Sequence, residues 1–146
     1  MSTGVHVFDP ALHEANLWVK GVKERLATDD DHMAYLALRS TLHALRDRIG
    51  PEAAVHLGAQ LPMLVRGLYY EGWRIAAPPS KERHLEDFLG HVARFLPTGL
   101  HIEARRLASA VFDLLQEKVA PGEMRKVVNM LPEALRALWP AGAPAE

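Results

Sequence analysis

Apolar residues recur along this chain with the three-and-four spacing of a single helix face. Leu38, Leu42, Leu45 and Ile49 form one stripe, and Trp18, Val19, Val22 and Leu26 form another. Leu61, Leu64, Val65 and Leu68 form a third. No segment alternates with the two-residue period and β-branched enrichment of a strand, so the predicted class is all-α. Sliding the chain along itself by about 70 residues lays a second set of stripes under the first. Without a gap, they fall on Ala108, Phe112, Leu115 and Val119, on Phe88, Leu89, Val92 and Leu96, and on Leu131, Ala134, Leu135 and Leu138. Pro51 meets Pro121, Pro62 meets Pro132 and Arg66 meets Arg136. Helicity alone does not place prolines, so the shared register predicts a duplicated unit.

The punctuation divides each unit into four helices. Thr28 and Asp31 have the form of a capping box and predict a long helix from about Asp29 to Ile49. Gly50-Pro51 ends it and opens a short helix, 51–59, since proline is tolerated only in a first turn. Pro62 then breaks into a fourth helix, from Leu61 to Glu71. The predicted organisation is a repeat over 10–71, a linker over 72–80 (GWRIAAPPS, with Ser80 as the next N-cap) and a repeat over 81–140. A unit of about 55 residues has a thin core by itself. The expected architecture is therefore two tandem four-helix repeats packed as one pseudo-two-fold bundle within a single domain, 1–146. The first eight residues are expected to fray and 141–146 to form a disordered tail.

The run Ala44 to Trp73, ALRDRIGPEAAVHLGAQLPMLVRGLYYEGW, resembles the bacterial domain-of-unknown-function family numbered 2267, with its Leu-Pro segment, following arginine and Gly-Trp. The likeness extends from about Asn16 to Trp139. It implies a compact all-α bacterial cytoplasmic protein and carries over no catalytic or ligand residue.

Composition narrows the chemistry. The 146 residues carry a net charge of −1 and no cysteine, which removes a disulfide framework, a thiolate metal site and a Cys nucleophile. No concentrated basic face offers itself to nucleic acid, and no apolar run reaches the roughly 18 residues of a membrane span. Neither membrane nor nucleic acid is an expected partner, and the expected location is cytoplasmic. His6 and His13, like His84 and His91, are spaced seven apart, which puts about 10 Å between them on a helix, too far for one zinc. Asp29-Asp30-Asp31 reads as first-turn carboxylates at the positive end of a helix dipole. There is no Gly-x-Ser-x-Gly elbow and no glycine-rich phosphate loop. No metal, cofactor or catalytic residue is expected.

What duplication leaves unexplained is the tail of the first repeat, Tyr69-Tyr70-Glu71-Gly72-Trp73, where the second has only Trp139-Pro140. Tyrosine, tryptophan and arginine gathered in so few residues have the composition of an interface hot spot. Arg66, Tyr69, Tyr70, Trp73 and Arg136 are accordingly the candidate binding surface. Both arginines can instead cap carbonyls or pair with an acid within their units, and the aromatics can plug the seam between repeats. The leading expectation is a non-enzymatic scaffold that binds a protein partner or itself, as in a homodimer. A second is a small-ligand binder or sensor with a pocket between the repeats, and a third an enzyme using His43 or His56 beside a carboxylate.

Overall fold

Proline and glycine set the helix boundaries. A computed structural model of the chain describes residues 4–100 and 102–139. A 3-10 turn, His6–Phe8, leads into α1 (Asp9–Leu26), followed by α2 (Asp31–Ile49), α3 (Pro51–Ala59) and α4 (Met63–Tyr70). Then come α5 (Leu85–Arg94), α6 (Ala104–Lys118), α7 (Pro121–Asn129) and the single turn α8 (Glu133–Arg136). Among the described residues every regular element is helical, and no helix is long and apolar enough to cross a membrane. Pro51 and Pro121 open α3 and α7, where a missing N–H costs nothing, and Pro62 and Pro132 are the N-caps of α4 and α8. Gly50, at φ 90, turns α2 directly into α3.

Local signals misplace two caps. The side chain capping α2 is Asp30, which accepts from the Met33 amide at 3.1 Å, while Thr28 accepts from Asp30 N one step earlier. Asp31 instead pairs with Lys23 at 2.8 Å, tying α2 to α1. Ser80 caps nothing: α5 starts only at Leu85, and Ser80 Oγ donates to Glu82 at 2.7 Å. The expected fraying at the start meets the ordered turn at His6–Phe8, and the tail 141–146 lies outside the described residues.

α2 and α6 lie against each other at the centre, with α1 and α5 each packed on both, and α3 against α7. Leu38, Leu42, Leu45 and Ile49 are buried, as are Ala108, Phe112, Leu115 and Val119, so both long-helix stripes face the core. α4 is rotated from its expected setting. It buries Leu61, Val65 and Tyr69 in steps of four and leaves Leu64 exposed and Leu68 half-buried. Steps of four follow one helix face as well as the three-four alternation does, and the wider apolar area of Tyr69 wins the inward position.

Candidate functional site

The expected binding surface divides when it folds. Tyr69 is 0% exposed, its hydroxyl donating to Ala54 O at 2.7 Å, and burial pushes its phenol pKa up. It is core, not surface. Arg66 donates to the carbonyls of Gly58 (2.9 Å) and Leu61 (2.8 Å) at the C-terminal end of α3, and Arg136 to Leu131 (3.0 Å) and Asn129 (3.3 Å) beyond α7. These arginines occupy helix ends, where unpaired carbonyls and the dipole favour a cation. Neither adjoins the aromatic tail's cleft described next.

Tyr70 and Trp73 remain together, half-buried and stacked with ring centroids 5.5 Å apart at 25°. Gly58 makes room for Tyr70, because a Cβ at that position would overlap the phenol. Gly72, at φ 73, then reverses the chain, and the Trp73 amide closes the turn on Tyr70 O at 3.0 Å. Beyond it, residues 74–84 cross from α4 to α5 without a helix, anchored by the Ser80 amide on Asp47 O at 2.8 Å and by Arg48 on Glu82 O at 2.8 Å.

Between this crossing, α2 and α5 lies a cleft of about 430 Å³, open on one side. Trp73, Ile75, Pro78, Pro79 and Phe95 supply apolar wall, and Arg46, Arg74, Arg94, His91 and Asp47 supply the charge. Arg46 is 4% exposed. Its Nη1 donates to Tyr69 O (2.9 Å) and Glu71 O (3.0 Å), capping α4, and its Nε to Asp47 Oδ1 (2.9 Å). Among the described residues Nη2 has no hydrogen-bond partner, and Arg46 lines the cleft.

His91, 7% exposed, lies between two carboxylates, Nε2 at 3.3 Å from Asp47 and Nδ1 at 3.2 Å from Glu82. Burial opposes its charge, but the hydrogen bonds and charges of Asp47 and Glu82 outweigh that and raise its pKa. Asp47 is likewise partly desolvated, and the bonds from His91 and Arg46 hold its pKa down. When protonated, the ring donates from both nitrogens and ties α2 to the crossing and α5. The raised pKa makes its contribution to stability fully present below the unfolded value of 6.5 and lost as pH rises through the folded one. Asp47 contributes above its unfolded value of 3.8, and that part is lost as pH falls through its lowered value. Urea titrations should therefore show stability declining as pH rises past 6.5, with the decline abolished in His91→Phe. An unchanged slope in that variant would refute the assignment.

The other histidines are placed differently. His43 is buried, donates from Nε2 to Leu68 O at 2.7 Å and meets Phe95 edge-on; desolvation lowers its pKa, so it stays neutral. It has no carboxylate on its ring among the described residues, and His56 is exposed in a shallow cleft between α3 and α7. Among the described residues no three His, Asp or Glu side chains are grouped to hold a metal ion, Asp47 and Glu82 being on opposite sides of the His91 ring.

Sequence reasoning overlooked Arg46 and weighed His91 only as a metal ligand beside His84. Both carried a signal, since Arg46 is four residues after Leu42 and His91 three after Phe88, which places charged groups on buried helix faces. Comparison with curated proteins gives no match. The family model described as an uncharacterized conserved protein, DUF2267, matches residues 15–138, nearly the whole chain, and the chain belongs to that family.

Proposed function

We propose that this chain is a non-enzymatic binding module: a duplicated four-helix unit packed about a pseudo-two-fold axis, which takes a small ligand in the cleft where one unit passes to the next. The observation that carries the reading is the cleft itself, about 430 Å³ with a buried arginine presenting an unused donor beside an aromatic wall. Binding sites are of this size, mostly apolar with a few placed polar groups.

Packing supports the duplication. α1 crosses α6 as α5 crosses α2, while α2 with α6 and α3 with α7 pair as equivalents. Arg66 and Arg136 cap equivalent helices. Position 46 reaches 69 and position 116 reaches 139 as well, by Arg46 on Tyr69 O (2.9 Å) and by Trp139 Nε1 on Gln116 Oε1 (2.9 Å).

The case against an enzyme rests on His91. A general base needs a free nitrogen, and both of its nitrogens are engaged by carboxylates. Ser80 donates to Glu82 rather than to the imidazole, so the two do not form a serine–histidine pair.

A protein partner or self-association is the second reading. It is favoured by an apolar patch made of Val7 and Phe8 ahead of α1 with Met63 and Leu64 at the start of α4, all exposed. This patch is separate from the Tyr70–Trp73 pair on which the sequence placed the surface. Hydrogen exchange separates the readings, using the protein with the small-molecule and the macromolecular fractions of a bacterial lysate in turn. Protection of residues 72–80 and 91–95 by the small molecules is the expected result. Protection confined to Val7, Phe8, Met63 and Leu64 by macromolecules, or by raised protein concentration alone, would replace it with the second reading.

A further inference from the structure

The cleft's charge and its aromatic wall select a class of ligand. We propose that it binds an oxyanion, carboxylate or phosphate, carried on a planar ring, with the anion on Arg46 Nη2 and the ring against Trp73. The inference rests on the cleft being the working site.

Arg46 and His91 are balanced by Asp47 and by Glu82 behind the imidazole, so the uncompensated charge lining the cleft is that of Arg74 and Arg94. Arg74 and Arg94 are exposed and form no ion pair among the described residues, in a chain whose net charge is −1. Positive charge concentrated between low-dielectric walls draws anions in. Arg46 adds specificity. Nε and Nη1 are held by Asp47 and the end of α4, so the guanidinium plane is fixed and the N–H groups left to donate are those of Nη2. A guanidinium held before binding loses little entropy on accepting an oxyanion.

Trp73 selects the rest of the ligand. Tyr70 covers one face of the indole, and Trp73 lines the cleft with the remainder. The indole N–H makes no hydrogen bond among the described residues. Offset stacking of a second ring is worth about 0.5–1.5 kcal/mol beyond its burial. The counterpart of Arg46 in the second repeat is Gln116, which is uncharged and holds Trp139, so the chemistry belongs to one side of the bundle.

The test is an NMR titration of the labelled full chain with phenyl phosphate, benzoate, inorganic phosphate and benzyl alcohol, following the Arg46 Nε–H and the Trp73 indole N–H. Both signals should move together and saturate with phenyl phosphate or benzoate, whichever of the two oxyanions the site prefers, and stay in place with benzyl alcohol. Trp73→Ala should weaken phenyl phosphate while leaving inorganic phosphate unchanged. Arg46 variants lose stability together with charge, so the charge is tested at the exposed pair: Arg74→Glu with Arg94→Glu should weaken binding at least about tenfold. No movement with either aromatic anion, or equal movement with benzyl alcohol, would overturn the proposal. If small molecules from lysate protect the cleft while both anions leave it untouched, the ligand class is wrong and the site stands. If neither does anything, both are wrong.

Discussion

Arg46→Ala is expected to lower the unfolding free energy by about 3–5 kcal/mol, the cost of removing one partner from a buried ion pair. The guanidinium is 4% exposed and serves three acceptors: Tyr69 O, Glu71 O and Asp47. Without it, two carbonyls at the end of α4 lose their donor, and Asp47 keeps only His91 as a counter-charge. Arg46→Lys should recover only part of the loss, because an ammonium cannot reach opposed acceptors from a planar fork. Urea unfolding with an unchanged m-value is the measurement, and a loss below about 1 kcal/mol would mean the network is ornamental.

Phe112→Ala is expected to cost a similar amount, about 3–5 kcal/mol, by a different mechanism. Phe112 is 0% exposed at the centre of α6, with Phe88 of α5 at 6.2 Å and Trp139 at 4.2 Å between ring centroids. Removing its ring opens a cavity between Phe88 of α5 and Trp139, which lies beyond the end of α8. Trp139 should loosen first, because α8 is a single turn and this ring is its main anchor beside the bond to Gln116. Trp139 emission should shift to longer wavelength in the folded variant, before global unfolding. Unaltered emission together with a small stability loss would show that the second repeat packs without this ring.

Much of the fold was legible because it is local. Helix periodicity, the prolines opening α3 and α7, and the glycine turn after α2 each act within a few residues, and the stripes and prolines recur along the sequence. The capping errors were also local. Asp30 takes the Met33 amide and Thr28 the Asp30 amide, while Lys23 of α1 holds Asp31. The site was less legible. The aromatic tail was singled out as one surface, but its residues have separate fates: Tyr69 is core, Tyr70 seats over Gly58, and Trp73 walls a cleft. The repeated arginines drew attention because they were repeated, yet capping carbonyls explains both. Arg46 stood unremarked within a helical stripe.

By itself, then, the sequence determined the all-helical class, most helix boundaries and the family, since each follows from spacing along one chain. Tertiary structure alone decided which face of α4 turns inward, and that choice depends on the volume other helices leave unfilled. It also decided that Arg46, Asp47, Glu82 and His91 meet, from α2, the crossing and α5. A charge network closes only when those three segments converge, and no spacing along the chain encodes that convergence. The run YYEGW is where the two levels join: Tyr69 completes the core, and the turn after it shapes the cleft.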